Sequence, residues 1–339
     1  MTQRGTVRRA LKRGALLTAA NWQIVAVQAV ADSISKLLIA IPVIGGAILV
    51  ALLVEADLSE LLAGDIRIAA ATVASALSTR PAALTAFALA FLTVLVGGAA
   101  LTLLAKAGSV SVIVAADRAA GPIERSPLRL AYFQRAMQFS IEDFSAGATA
   151  LFRRFLVLGL WLMVVYGVTG GLYIMAAFGG YRLLVPSTPV VVWTALAVLG
   201  LLLVSAWIVL VNLIYAVTQV VMAVTAKGPV AALGAALSFM RVQRRKVARA
   251  FGVVLLLFVL ATGLSLLAIA GLGLIAFVPI AGLAVIPIQL GAAFLRSLLF
   301  QFLGLTALGA YLGLYRSRET PTGTADPFPD FSYIDEPSS

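Results

Sequence analysis

The side chains that could do chemistry in this 339-residue chain are mostly cationic, and they are concentrated. The nine residues RVQRRKVAR hold five cations, which are Arg241, Arg244, Arg245, Lys246 and Arg249. A further pair, Arg153 and Arg154, also precedes a long apolar run. Each exposed cation near an anionic leaflet contributes about 1 kcal/mol of attraction. We therefore predict that these seven residues bind anionic lipid head groups.

Residue types needed for acid, base or metal chemistry are scarce. The chain has no cysteine and no histidine, which excludes disulfides, thiolate nucleophiles, imidazole bases and Cys/His metal sites. Asp57 and Glu60 have i, i+3 spacing that could present two carboxylates to a cation, but we interpret them as a solvated face. No phosphate loop, nucleophile elbow or dinucleotide fingerprint occurs. We expect no enzyme activity, catalytic residue, metal or cofactor.

One cation, Arg296, lies inside an apolar run that is otherwise long enough to cross a membrane. An arginine at the bilayer centre costs about 2.5 to 3.5 kcal/mol on insertion scales, and less if its side chain snorkels. Arg296 therefore has two interpretations that the sequence leaves open. It either lines a pathway for an anion or a lipid head group, or it lies near an interface as an anchor.

The predicted spans contain no aspartate or glutamate, which argues against a proton-coupled or cation-coupled carrier. Their neutral polar residues, Asn212, Gln219, Gln289 and Gln301, are expected to hydrogen-bond neighbouring helices rather than to form a transport site. The runs Gly167 to Gly171 and Gly309 to Gly313 predict close helix packing, within one chain or between two.

Composition identifies the setting in which these residues act. The chain is 62% hydrophobic and only 12% charged, with a mean hydropathy of +1.05. A soluble domain has roughly twice that charged fraction, so this is a membrane protein. The net charge of +11 comes from cations beside apolar runs, which indicates lipid head groups rather than nucleic acid as the anionic partner.

The apolar runs predict an all-α polytopic protein with six transmembrane helices in a domain at 37–316. The spans are expected at 37–54, 83–105, 155–178, 189–217, 251–278 and 288–315. Residues 1–36 are interpreted as a retained basic, amphipathic segment, and whether residues 14–31 enter the membrane is left open. Residues 317–339 are polar, acidic and proline-rich, which is typical of a disordered tail.

Six spans place both termini on one side of the membrane. With that side inside, 21 of the 25 cations lie in cytoplasmic segments, and only Arg67, Arg80 and Arg182 lie outside. Lys and Arg near span ends resist translocation. We therefore predict a multi-pass protein of the cell membrane with cytoplasmic termini.

Three amphipathic segments with paired cations each precede apolar sequence, and we number these copies in chain order. We predict that the second and third copies form cytoplasmic surface helices. The alternative is that they are cytoplasmic extensions of long helices. Ser126 and Pro127 are expected to start one helix, and Ser140 with Asp143 forms a capping box for the next. The third copy has an apolar stripe of Val230, Leu233, Leu237 and Met240.

Two stretches carry a family resemblance. They are AKGPVAALGAALSFMRVQRRKVARAFGVVLLL, with its features at Ala231 to Arg249, and LTALGAYLGLYRSRE, which ends with Tyr315 and Arg316. The chain resembles the membrane domain fused to some bacterial glycerophosphoryl diester phosphodiesterases, and its stand-alone six-span relatives. The resemblance implies six spans with a small-residue surface helix before the fifth. It implies no hydrolase activity, because no catalytic domain is present in this sequence.

Two functions are consistent with these patterns. The first is a non-catalytic membrane protein that organises or binds lipid or a partner protein, possible partners including a second copy. The second is a permease or lipid translocator that uses Arg296. The scarcity of polar residues within the spans favours the first.

Overall fold

The computed structural model describes residues 3–54, 81–125, 127–184, 189–276 and 279–319. In the first half of the chain, the helices are α1 (Gln3–Ala20), α2 (Trp22–Val54), α3 (Pro81–Ala119) and the short α4 (Leu130–Ala136). They are followed by α5 (Ile141–Leu184), α6 (Val190–Thr225), α7 (Pro229–Val242), α8 (Arg244–Ala276) and α9 (Pro279–Glu319). The carboxylates of the first predicted outer loop, Glu55, Asp57, Glu60 and Asp65, lie outside the described residues, as does most of the predicted tail.

The predicted all-α fold class is confirmed, because the described part of the chain contains helices and no strand. Among the described residues, six helices are long and apolar enough to cross a membrane. The qualifying stretches are Trp22–Pro42, Thr85–Ala119, Ile141–Arg182, Val190–Thr225, Arg244–Gly273 and Pro287–Ser317. Hydrophobic runs in the sequence predict these helices because a membrane helix must satisfy its backbone hydrogen bonds internally.

The helices are longer than the apolar runs that predicted them. Acidic residues therefore lie within three qualifying stretches, although outside the predicted spans: Asp32 in the first, Asp117 in the second, and Glu142 and Asp143 in the third. The reason is that helix propagation continues past the apolar run as long as each added residue gains a backbone hydrogen bond.

The chain divides into two compact units, residues Ala26–Lys106 and residues Met1–Val25 with Ala107–Ser339. In the first unit, the Ser35 hydroxyl lies 3.0 Å from the Thr102 hydroxyl and donates to the Gly98 carbonyl, also at 3.0 Å. Lys36 donates to Asp32 at 2.6 Å, an i to i+4 pair on one face of α2.

In the second unit, α1 packs along α9 through a glycine contact. A Cβ atom added to Gly14 would lie 2.7 Å from the backbone nitrogen of Ala310, and one added to Gly309 would lie 2.8 Å from Cα of Gly14. Neither position has room for a side chain, so the two backbones touch. This confirms close packing for the second predicted glycine run. In the first run, no described atom lies within 4 Å of a Cβ added to Gly167, Gly170 or Gly171.

Hydrogen bonds from polar side chains join α5 to α6. The Tyr173 hydroxyl donates to the Ala197 carbonyl at 3.1 Å, and Trp207 Nε1 donates to the Thr169 hydroxyl at 3.3 Å. Tyr173 and Trp207 thus act between helices, in the way expected for polar residues in a membrane protein. Asn212, by contrast, donates its side-chain N–H to the Ile208 carbonyl of its own helix at 3.0 Å.

The residues before α5 form the predicted cap but not the predicted helix start. The Asp143 backbone N–H donates to the Ser140 hydroxyl at 3.0 Å, and that hydroxyl donates to Asp143 Oδ2 at 2.7 Å. Ser140 therefore caps α5. The preceding helix α4 begins at Leu130, not at Pro127, with Arg129 as an extended N-cap residue. Ser126 lies outside the described residues.

The sequence AKGP separates α6 from α7. Ala226 ends α6 in a left-handed conformation with φ of 53°, and Pro229 is at the start of α7, where its missing N–H costs nothing. Helix α7 buries Ala232, Ala236 and Phe239, whereas Leu233, Leu237 and Met240 of the apolar stripe are half-buried and Val230 is exposed. The small buried residues allow α7 to lie close to α6.

Candidate functional site

The five predicted cations between Arg241 and Arg249 lie at the junction of α7 and α8, and we call them the basic cluster. Gln243 makes the junction: its N–H donates to the Phe239 carbonyl at 2.9 Å, and its own carbonyl accepts from Lys246 at 2.9 Å and Val247 at 3.0 Å. One residue therefore ends α7 and begins the hydrogen-bond ladder of α8. The cluster is part of two ordered helices.

Packing of the junction directs the cations outward. Phe239, Val247 and Ala250 are buried on the inner side. Four cations of the basic cluster are consequently exposed and the fifth is half-buried; the exposed ones are Arg241, Arg244, Arg245 and Arg249, and the half-buried one is Lys246. The structure therefore places all five at one surface region.

The local field at this junction favours an anion. The first turn of α8 contains no acidic residue and three cations of the basic cluster. A helix N-terminus carries a partial positive charge, so the cations and the dipole repel one another. An external anion would relieve both effects, and a phosphate group fits a helix N-terminus especially well.

The other two predicted lipid-binding residues lie on α5. Arg153 is exposed and Arg154 is half-buried, while Leu151 and Phe155 are buried on the opposite face. They have the same arrangement as the basic cluster, with cations on the outer side of a packed helix.

Arg296 is exposed on α9. Its guanidinium carbon lies 5.6 Å from the centre of the Phe300 ring, one turn further along the same helix. This distance is typical of a cation–π contact. The contact keeps the side chain along its own helix and does not direct it into the packed core.

Sequence reasoning missed a group of four charged residues assembled around one buried carboxylate, which we call the charge clamp: Arg13, Asp117, Glu124 and Arg316. Asp117 is only 1% exposed. Arg13 Nε donates to Asp117 Oδ1 at 2.5 Å, and Arg316 Nη1 pairs with Asp117 Oδ2. Arg13 Nη1 also donates to Glu124 Oε2 at 2.8 Å. The clamp thus joins α1, the end of α3 and α9.

Arg13 also caps the C-terminus of α3. Its Nη2 donates to the Asp117 carbonyl at 2.9 Å, and its Nη1 donates to the Gly121 carbonyl at 2.6 Å. The last carbonyls of a helix have no partner within the helix and carry partial negative charge, so a cation is favoured there. Gly121 has a φ of 59°, which turns the chain so that Glu124 returns toward α1.

The charges in the clamp balance, with two arginines against two carboxylates. Burial by itself would lower the pKa of Arg13, but Asp117 and then Glu124 raise it above its ordinary value. Because the guanidinium stays protonated, it cannot act as an acid or base near neutral pH. The clamp is therefore suited to holding helices together. The signal in the sequence was a lone aspartate, Asp117, among small residues in VIVAADRAA.

No group of three or more His, Cys, Asp or Glu side chains suited to a metal ion occurs among the residues that the structure describes. The paired carboxylates of the clamp are held by arginines. Comparisons with known protein families, with curated proteins and with solved structures gave no match to this chain. In the part that the structure describes, the chain is all-helical, and six of its helices are long and apolar enough to cross a membrane.

Proposed function

We propose that this chain is a non-catalytic integral membrane protein that binds anionic lipid head groups through its basic cluster. The observation that carries the proposal is the exposure of four arginines at the α7–α8 junction, three of them in the first two turns of a membrane-length helix. Lipid phosphates lie at that depth in any bilayer that α8 crosses. The pair Arg153 and Arg154 on α5 offers a smaller site of the same kind.

The orientation in this proposal follows from the distribution of cations. The basic cluster, Arg153 and Arg154 all lie in segments that the positive-inside rule assigns to the cytoplasm. The cytoplasmic leaflet carries most anionic lipid, so the cations and their partners are on the same side. We accordingly place the protein in the cell membrane with both termini inside.

The test uses the full-length protein and a charge-neutral variant with Arg241, Arg244, Arg245, Lys246 and Arg249 all changed to Gln. Retention of phosphatidylglycerol and phosphatidylcholine in detergent micelles is measured by native mass spectrometry at low and high salt. We expect the neutral variant to lose its preference for phosphatidylglycerol, and the native preference to weaken with salt.

The matched control changes the four arginines of the basic cluster to Lys. Binding of lipid head groups to exposed side chains depends mainly on the charge of those side chains, so this variant should keep the preference for phosphatidylglycerol. If the Gln variant retains as much phosphatidylglycerol as the native protein, the basic cluster is not the lipid site and the proposal is wrong.

We also propose that the chain is related to the membrane domain that is fused to some phosphodiesterases. It is supported by a contact between the two stretches that carry it: the rings of Phe239 and Tyr315 are 5.3 Å apart with an interplanar angle of 69°. Arg316, the next residue, is part of the charge clamp. We expect an experimental structure of such a domain to show its tyrosine packed on the surface helix in the same way.

The alternative, a permease or translocator, requires Arg296 to face a pathway. Its contact with Phe300 is local to α9 and equally suits an anchor near the membrane interface. Flux of labelled lipid or anionic solute through reconstituted protein remains the measurement that would favour this alternative.

A further inference from the structure

The segment from Pro127 to Ile141, which contains α4, is attached to the protein body through Asn21. Asn21 is fully buried at the break between α1 and α2. Its side-chain nitrogen donates to the Ala136 carbonyl at 2.7 Å, and its side-chain oxygen accepts from the Gln138 N–H at 2.9 Å. One amide thus satisfies two backbone groups just at the C-terminal end of α4. The segment is consequently held in a fixed orientation.

The inner side of this segment is packed. Ala136 is fully buried, and Tyr132, Phe133 and Phe139 pack against the hydrophobic core. These contacts and the two hydrogen bonds of Asn21 determine which side chains remain outside. The outward face is therefore a property of the folded structure, set by residues far away in the sequence.

The outer side of the segment is apolar. Its exposed large side chains are Leu128 at 59%, Leu130 at 70%, Met137 at 50% and Ile141 at 77%. Leu130 begins α4, Met137 directly follows its last residue and Ile141 begins α5, so the exposed apolar side chains lie at both ends of α4. Burying apolar surface is worth about 25 cal/mol per Å², so this face is favoured in a medium less polar than water.

The same segment is positively charged. Residues 127–141 contain Arg129 and Arg135, both exposed, and no aspartate or glutamate. The preceding acid, Glu124, already accepts a hydrogen bond from Arg13. An apolar face with arginines and no acid is complementary to a layer of anionic head groups above acyl chains.

We propose that residues 127–141 form an interfacial anchor, with the four exposed apolar side chains in the acyl boundary and Arg129 and Arg135 at anionic head groups. The occupant of this face is the bilayer surface itself. The segment connects α3 to α5, and both helices are of membrane length, so it lies on the side of the membrane that the end of α3 and the start of α5 share. The inference rests on the proposed function in taking anionic lipid as the partner, but it concerns a different surface.

The test is depth measurement in the full-length protein. The chain has no cysteine, so single cysteines can be introduced without background. Spin labels are attached to Leu130→Cys and Ile141→Cys, and to Glu142→Cys as the matched control. Glu142 is exposed, next to Ile141 and about 100° around the helix. The proteins are reconstituted in vesicles with and without phosphatidylglycerol, and collisions with oxygen and with a water-soluble nickel chelate are compared.

We expect the labels at residues 130 and 141 to collide more with oxygen, which concentrates in the acyl region, and the label at residue 142 to collide more with nickel. A preference for nickel at residues 130 and 141 would show a water-exposed face and overturn the proposal. Protection from both reagents would also overturn it, since the face would then be covered by protein, for example by a second copy.

The arginines are tested separately in the background of Leu130→Cys. Changing both Arg129 and Arg135 to Gln should lower enrichment of phosphatidylglycerol around the label by about five-fold for each charge removed. Equal enrichment around the native and Gln variants would overturn the electrostatic half of the proposal. Because the basic cluster is unchanged in these proteins, failure here is distinguishable from failure of the proposed function.

Discussion

Arg13 and Asp117 are 104 residues apart in the sequence, yet the guanidinium Nε lies 2.5 Å from the carboxylate Oδ1. Asp117 also pairs with Arg316 near the end of the last described helix. A single buried carboxylate therefore connects residues near both ends of the described chain. Charge-assisted hydrogen bonds of this kind are about twice as strong as neutral ones.

The first prediction is that Asp117→Asn destabilises the protein by about 3 kcal/mol. Removing one partner of a buried ion pair leaves the others uncompensated, although partial exposure of Arg316 limits the loss. The midpoint of thermal unfolding in detergent measures the effect. Glu142→Gln, which neutralises an exposed acid in the first turn of α5, is the control and should lower the midpoint far less.

A double-mutant cycle then tests the pairing within the clamp. Arg316→Gln should cost less in the Asp117→Asn background than in the native protein, because its partner is already absent. Strictly additive losses would show that Arg316 and Asp117 do not stabilise one another.

The second prediction concerns the contact between α1 and α9. Gly309→Ala should lower the free energy of unfolding by about 1 to 3 kcal/mol, since its methyl group would meet the backbone of Gly14 and the helices must separate. Gly304→Ala on the same helix is the control, because no described atom lies within 4 Å of its added methyl group. Alanine has the higher helix propensity, so this control should be neutral or slightly stabilising. Equal effects at both positions would contradict close packing at Gly309.

The third prediction concerns Arg296. If it is an interface anchor, Arg296→Lys should insert and fold normally, since either long side chain can snorkel, whereas Arg296→Gln should reduce the folded yield. If it binds an anion in a pathway, Lys should restore flux only in part, because an ammonium cannot reproduce the planar fork of a guanidinium. The folded yield of each variant is measured first, and flux is then compared at equal amounts of folded protein. Full flux with Lys would contradict recognition of an anion by that fork.

The fourth prediction concerns orientation. Single cysteines at Gln138 and Lys227, both exposed, should be protected from an impermeant thiol reagent applied to intact cells. Cysteines at Ala82 and Val190, near the starts of α3 and α6, should react. These sites distinguish the two possible orientations because each pair of helices returns the chain to the same side. Labelling of Gln138→Cys from outside would reverse the assignment.

The amino-acid sequence by itself determined the class of the fold. The membrane-length helices follow from apolar runs, the cap at Ser140 from a motif of four residues, and the Asp32–Lys36 pair from spacing along one helix. Each of these depends on residues within one segment, where backbone geometry limits the outcomes. The location of the basic cluster beside an apolar helix was also readable as a local pattern.

Only the tertiary structure decided how these segments meet. Arg13 and Arg129 look alike in the sequence, yet Arg13 is bound within the charge clamp and Arg129 is exposed. The packed face of α7 is likewise set by Ala232 and Ala236, whose small side chains let α7 approach α6 closely. The apolar stripe in the sequence of α7 did not predict this face. The physical reason is that the pairing of residues 100 positions apart depends on how the helices dock. The free energy of docking is a sum of many weak contacts, and no short stretch of sequence contains them all.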